Sequence, residues 1–66
     1  MQIQVNGEAR AISGEMDLAE LLRCLRVQPE IVAVELNEEV VARAKLSGVR
    51  LKDGDIVEIV RMVGGG

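Results

Sequence analysis

The three glycines that end the sequence are the residues best suited to chemistry. Gly64, Gly65 and Gly66 follow a short apolar stretch, and we expect Gly66 to present an α-carboxylate without a steric shield. Because glycine lacks a Cβ and adopts almost any backbone angle, such a segment can extend through a channel too narrow for side chains. Attack of the carboxylate on the α-phosphate of ATP would form an acyl-adenylate, which could then accept a sulfur or a nitrogen nucleophile.

The rest of the composition excludes most other kinds of catalytic or binding site. The 66 residues include one Cys and no His, Phe, Tyr or Trp, and the net charge is −3. Without histidine there is no Ser-His or Cys-His pair, and structural zinc sites use Cys and His ligands. Nucleic-acid binding normally uses a basic surface and aromatic stacking, which this composition does not supply. We therefore expect no independent enzyme, no zinc site and no nucleic-acid partner.

No apolar run is long enough to suggest a membrane span, since the longest covers only residues 31–34. The first residues lack the basic start and the long apolar stretch of a signal peptide. A single Cys cannot form an internal disulfide. We expect a cytoplasmic protein without a membrane partner.

Four strands are predicted from alternation or from β-branched runs that end at turn residues. Asn6-Gly7 is a strong hairpin signal between the first two strands, and Asp53-Gly54 signals a turn before the last. A short run after the turn at Asn37 is predicted as a brief edge strand. The predicted strands cover residues 1–5, 9–12, 31–36 and 56–61, with the edge strand at residues 39–42.

One helix is predicted over residues 18–26. Asp17 and Glu20 have the spacing of a capping box, and Pro29 prevents continuation of the helix. Residues 43–50 show no period that favours a helix or a strand. Four leucines recur on one helical face and are predicted to pack on the sheet. They are Leu18, Leu21, Leu22 and Leu25, and the predicted sheet partners are Ile3, Val5, Val34, Val57 and Ile59.

This order of elements predicts an α+β fold with one main helix across one face of a mixed sheet of four to five strands. The first and last strands are placed side by side and parallel at the centre, which is the ubiquitin-like β-grasp arrangement. So short a chain cannot build two cores. We predict one domain over residues 1–63 and a flexible glycine tail at residues 64–66.

Alternation along the strands predicts a docking surface on the face away from the helix. If Val57 and Ile59 face the helix, their neighbours on the last strand face outward. Apolar residues beside carboxylates on an open sheet are typical of a partner surface. A solvated face with scattered apolar residues is the alternative. The predicted docking residues are Ala33, Glu35, Glu58, Val60 and Met62.

Two other features invite chemical interpretations that the sequence does not favour. Cys24 lies one step outside the leucine stripe, so we expect a half-buried small residue without a role in sulfur chemistry. Asp53 and Asp55 lack the spacing of a calcium-binding loop, and a turn that uses aspartate for local hydrogen bonds is expected instead.

Five segments together resemble the thiamine-biosynthesis sulfur carrier family, and the resemblance covers essentially the whole chain. No segment is decisive alone. The Asn-Gly hairpin, Asn37 after a strand, the Asp-Gly-Asp turn and the terminal glycines are specific as a set. The segments are residues 3–7, 17–22, 31–37, 53–59 and 63–66.

The resemblance implies a protein carrier that is not itself an enzyme. In the family, an E1-like adenylyltransferase uses ATP and Mg²⁺ to adenylate the C-terminal glycine, which is converted to a thiocarboxylate with sulfur from a cysteine desulfurase system. The sulfur then passes to thiazole synthase. Carried over, Gly66 would bear the thiocarboxylate, and Gly64 and Gly65 would thread it into both partners. No bound cofactor or metal is expected.

Three other interpretations remain open. The small subunit of molybdopterin synthase is another β-grasp carrier, although it is usually longer, and the third terminal glycine favours the thiamine branch. A ubiquitin-like modifier would form isopeptide bonds instead. A β-grasp binding module would leave its tail idle. Incubation with ATP and a sulfur donor separates the idle module from the others, because only a carrier or modifier activates its terminus.

Overall fold

The chain begins with a hairpin whose turn has a left-handed backbone. The computed structural model describes residues 1–62. Strand β1 (Gln2–Val5) pairs antiparallel with β2 (Glu8–Ala11). Between them, Asn6 and Gly7 have φ angles of 51° and 84°. Asparagine and glycine adopt positive φ more readily than other residues, and the two-residue hairpin turn requires it. The predicted hairpin is confirmed.

Helix α1 (Leu18–Leu25) begins at the predicted capping box. The Glu20 N–H donates to Asp17 Oδ1 at 2.8 Å, and the Asp17 N–H donates to Glu20 Oε1 at 2.9 Å. These reciprocal bonds satisfy amides that the first helical turn leaves free. The helix ends where Arg26 turns left-handed at a φ of 61°, so it is one residue shorter than predicted.

Three further strands complete the sheet: β3 (Val32–Leu36), β4 (Glu39–Val41) and β5 (Ile56–Arg61). A 3₁₀ helix at Pro29–Ile31 precedes β3, so this strand begins one residue later than predicted. The segment that sequence patterns did not assign contains a second 3₁₀ helix, Arg43–Gly48, which packs against α1.

The strand order is β2-β1-β5-β3-β4. β1 and β5 are parallel at the centre, whereas β3 pairs antiparallel with both β5 and β4. This mixed five-stranded sheet with one main helix on one face is the predicted ubiquitin-like β-grasp fold. The last strand is therefore the structural axis of the domain, because it lies between the first strand and the third.

The core lies between α1 and the sheet. Three of the four predicted leucines are at most 1% exposed, and Leu25 is half-buried at the end of the helix. On the sheet side, Ile59 is also half-buried while the other predicted partners are buried. The remaining core residues come from β3, from the second 3₁₀ helix and from the loops after β2 and before β5. The buried apolar side chains are Ile3, Val5, Ile12, Leu18, Leu21, Leu22, Val32, Val34, Leu46, Leu51 and Val57.

Candidate functional site

The strand that leads to the glycine tail is the most firmly held element of the sheet. β5 pairs with β1 on one side and along β3 on the other. Past its end, the Met62 N–H donates to the Ile31 carbonyl at 2.8 Å. The residues predicted to react and to thread into partners, Gly64, Gly65 and Gly66, lie outside the described residues. The structure thus shows the base of the candidate site.

Alternation along β5 divides its side chains between the two faces of the sheet, as predicted. Val57 is fully buried on the helix side. Ile56 and Val60 are 45% and 55% exposed, and Glu58 is also exposed. Met62 continues this outward row just beyond the strand at 56% exposed. The central strand and the residue that follows it therefore present three exposed apolar side chains on the side away from the helix.

The strand register brings the predicted docking residues together. Ala33 lies directly opposite Val60, and Glu35 lies directly opposite Glu58. Directly opposed side chains in an antiparallel pair have Cβ atoms about 5 Å apart. We use the name outer face for these four residues and Met62. In the structure these residues lie next to one another on one side of the sheet. That partners dock on them stays a prediction.

Two apolar neighbours of the outer face were missing from the predicted docking residues. Val40 lies opposite Glu35 on β4 and is 73% exposed. Ile56 occupies the start of the outward row on β5. The alternation of β5 already pointed Ile56 outward. Val40 could have been found only from the register of the β3–β4 hairpin, which depends on its two-residue turn.

Within residues 1–62, the two carboxylates of the outer face take part in no ion pair. In residues 1–62 the structure has a single ion pair, between Arg50 and Glu15 near the start of α1. Glu35 and Glu58 therefore face each other across neighbouring strands without a partner from the described part of the chain. Like charges in that arrangement are destabilising. A cationic group from another molecule would find two carboxylates and an apolar border at this place.

Asp55 has a structural role next to this face. Its side chain is 9% exposed and accepts hydrogen bonds from the Lys52 N–H at 2.8 Å and from Asn37 Nδ2 at 3.1 Å. The Asn37 side-chain oxygen in turn accepts from the Ile56 N–H at 3.0 Å. The expected turn with local aspartate hydrogen bonds is confirmed. Among the described residues, no three His, Cys, Asp or Glu side chains are grouped to hold a metal ion.

The prediction of a half-buried Cys24 is wrong, because this side chain is exposed. At 100° per residue, Cys24 lies about 110° from the centre of the leucine stripe on α1. The short helix buries only that stripe against the sheet, so a residue this far around the helix stays in solvent. Cys24 is also on the helix side of the sheet, away from the outer face.

No helix within residues 1–62 has the length and apolar character needed to cross a membrane.

Comparison with known proteins places the whole chain in one group. A model of the ThiS family matches residues 3–66. The chain is similar to the sulfur carrier protein ThiS of Thermus thermophilus, with 39% identity over 64 residues that cover 97% of this chain and 98% of that protein. It is also similar to the crystal structure of the thiamine biosynthesis protein ThiS from Geobacter metallireducens, with 42% identity, a TM-score of 0.88 and full coverage of both chains.

A second kind of relative is much longer. The thiazole synthase of Paramagnetospirillum magneticum is 42% identical over 66 residues, which are 100% of this chain but 20% of that protein. The chain thus spans about a fifth of the length of the thiazole synthases it matches.

Proposed function

Because the chain belongs to the ThiS family, we propose that it is a sulfur carrier protein of thiamine biosynthesis. The match to the family over residues 3–66, which includes the three terminal glycines, is the observation that carries this proposal. The relative from Thermus thermophilus, similar over nearly its whole length, is named a sulfur carrier. The protein then acts as a cosubstrate whose own end is modified, and a cytoplasmic location gives it access to ATP.

The proposed reaction takes place at the α-carboxylate of Gly66. One carboxylate oxygen attacks the α-phosphate of ATP in an E1-like adenylyltransferase that uses Mg²⁺, and pyrophosphate leaves. A sulfur nucleophile at the sulfide level then attacks the carbonyl carbon and displaces AMP, which leaves a thiocarboxylate. A cysteine desulfurase system with a thiol reductant supplies that sulfur. Gly64 and Gly65 thread the reacting end into the enzyme, because they bring no side chain into the channel.

Thiazole synthase is the proposed acceptor of the sulfur. Two proteins named thiazole synthase contain a stretch similar to this entire chain. In each of them, a segment similar to this chain is therefore part of a protein named thiazole synthase. This supports a direct encounter between the present chain and such a synthase. Molybdopterin synthase remains the alternative acceptor, and binding to one enzyme rather than the other distinguishes the two.

We further propose that the outer face docks on these partners. Ala33, Val60 and Met62 supply apolar contact, and Met62 can adapt its flexible side chain to more than one surface. Glu35 and Glu58 favour partner surfaces that carry Lys or Arg at the matching place. Because only Val63 separates Met62 from the glycine tail in the sequence, docking here would hold the reacting end close to the partner and raise its effective concentration.

Exchange of radioactive pyrophosphate into ATP by the cognate E1-like enzyme tests the proposal. The wild-type protein should support exchange, whereas a C-terminal tag should abolish it. Deletion of Gly66 should nearly abolish exchange, because the carboxylate would stop one residue, about 3 Å, short of the α-phosphate. Thermal unfolding of both variants should match the wild type.

The narrow channel is tested by Gly65→Val, with Gly48→Val as the matched control. A Cβ at Gly48 would meet no atom within 4 Å, so a side chain there fits the exposed surface. Gly65→Val should block exchange, and Gly48→Val should leave it intact. Undiminished exchange with the tagged protein would reject the proposed chemistry. No exchange with the wild type would favour a β-grasp module whose tail is idle.

A further inference from the structure

The parallel ladder between β1 and β5 is shorter than β5 itself. Main-chain bonds join the Gln4 N–H to the Asp55 carbonyl at 3.0 Å and the Asn6 N–H to the Val57 carbonyl at 2.9 Å. At Asn6 the first strand ends and turns back into the hairpin. β5 continues to Arg61. Beyond Asn6, the main chain of the first strand therefore forms no further hydrogen bonds with β5.

The side chain of Asn6 takes the next position of this ladder. Its Oδ1 accepts from the Ile59 N–H at 2.7 Å, and its Nδ2 donates to the Ile59 carbonyl at 3.3 Å. A side-chain amide has the donor and the acceptor of a peptide group. In a longer parallel ladder, the N–H and the carbonyl of Ile59 would bond to two different residues of β1, and the Asn6 side chain supplies both partners instead. It thereby extends the two-sided pairing of β5 from Val57 to Ile59.

This contact acts on the half of β5 that leads to the tail. On the opposite side, β3 pairs with β5 as far as Arg61. Without the Asn6 side chain, β5 beyond Val57 would be paired on that side alone. A strand held along one edge twists more freely than one held along both. On the β1 side, the course of β5 beyond Val57 is therefore held by the Asn6 side chain.

We propose that Asn6 is a positioning residue for the reacting terminus. It fixes the course of β5 at Ile59, and it thereby aims the segment that ends at Gly66 from the edge of the outer face. The proposal rests on the function proposed above, since it concerns delivery of the carboxylate to the adenylating enzyme. Asn6 touches neither substrate nor cofactor and acts only through β5.

The chain offers a matched control at the other end of β5. Asn37 also has a positive φ, 52° against 51° for Asn6, and its side-chain oxygen also accepts from a β5 amide, that of Ile56. Glycine tolerates positive φ, so Asn6→Gly and Asn37→Gly keep both turns and remove only the side-chain bonds. Asn37 holds the start of β5, and Asn6 holds the part that leads to the tail.

Hydrogen exchange in the full-length protein is the first readout, and it does not depend on activity. Asn6→Gly should speed exchange of the Ile59 amide by about fivefold to tenfold more than Asn37→Gly does, because the lost bond is local to Ile59. Asn6→Asp keeps the acceptor for that amide and should restore most of the protection. Equal exchange at Ile59 in both glycine variants would overturn the proposal.

Pyrophosphate exchange with the cognate adenylating enzyme is the second readout. Asn6→Gly should lower kcat about tenfold and leave KM for the carrier nearly unchanged, because docking is intact while delivery of the carboxylate is impaired. Asn37→Gly should retain wild-type kcat. Equal kcat values for the two variants would overturn the positioning role alone. An inactive wild type would instead reject the proposed function, and the positioning role with it.

Discussion

The two faces of the sheet come from the same strands but differ in what holds them and what they expose. On β5, Val57 lies fully buried beneath α1, while its neighbour Glu58 is exposed and faces the like-charged Glu35. The helix side concentrates apolar burial, which supplies most of the stability of a small domain. The outer face carries exposed apolar groups and two carboxylates that form no ion pair within residues 1–62, and these groups add little to the fold. We therefore expect that mutations can change folding and the proposed docking separately.

The largest effect is expected where the helix side is truncated. Leu21 is 1% exposed, so Leu21→Ala should lower the free energy of unfolding by about 2–5 kcal/mol. Small domains have only about 5–15 kcal/mol in total. Val40→Ala on the outer side, at 73% exposed, should change it by less than about 0.5 kcal/mol. Urea denaturation measures both. If both variants lose a similar amount of unfolding free energy, the two faces of the sheet do not differ in their contribution to stability.

A smaller loss is expected at the buried polar turn that begins β5. Asp55→Ala removes the acceptor of the Lys52 N–H and Asn37 Nδ2 and should lower stability by about 1–3 kcal/mol. Asp53→Ala removes one exposed bond, to the Gln2 N–H, and should cost about 1 kcal/mol or less. Thermal unfolding compares the two aspartates. If Asp53→Ala is the more damaging change, burial does not determine which turn residue matters.

Charge reversal on the outer face should weaken the proposed docking without lowering the stability of the domain. Glu58→Lys places a cation opposite Glu35, which should leave the free energy of unfolding unchanged or raise it by about 0.2–1 kcal/mol. The same change should slow activation by the proposed E1-like enzyme, because it would repel a basic partner surface of the kind proposed above. Met62→Asp should also slow activation without unfolding the domain.

Glu8→Lys is the control for this pair, since Glu8 is exposed on β2 and pairs with the buried Val5 rather than with the outer face. It makes the same change in net charge. Activation rates that equal the wild-type rate for both Glu58→Lys and Met62→Asp would remove the docking role from the outer face.

The smallest effect is expected at Cys24. Its side chain is exposed on α1 and is not part of the outer face. Cys24→Ser should leave both unfolding and sulfur acquisition at their wild-type values, as measured by urea denaturation and by intact mass after reaction. A loss of sulfur acquisition would give this thiol a role that its place in the fold does not suggest.

The parts of this fold that could be predicted are those determined by residues close together in the sequence. The capping box at Asp17 and Glu20 forms as predicted because both partners lie within one turn, and alternation alone oriented Val57 and Glu58. The 3₁₀ helix Arg43–Gly48 was not assigned because it buries only Leu46 and shows no period. The bond from Asn6 to Ile59 could not be found from local patterns, because it joins residues 53 positions apart.

In the candidate site, too, the features that depend on local sequence could be predicted and those that depend on strand pairing could not. The outward row on β5 was predictable from alternation, whereas the exposure of Val40 beside Glu35 depends on how the β3–β4 hairpin pairs. Burial of Cys24 was predicted wrongly because a helical wheel shows the direction of a side chain and not how far the sheet beneath it extends. The role of the three terminal glycines stays a prediction, since they lie outside the described residues.

The most direct test of the account is the mass of the protein before and after reaction with the adenylating enzyme, ATP, Mg²⁺ and a sulfide donor. The starting mass tests whether the chain ends at Gly66. We expect a gain equal to the exchange of one oxygen for sulfur, located by fragmentation on the C-terminal peptide, and no gain after deletion of Gly66. Sulfur located on Cys24, or an equal gain by the truncated protein, would contradict the account.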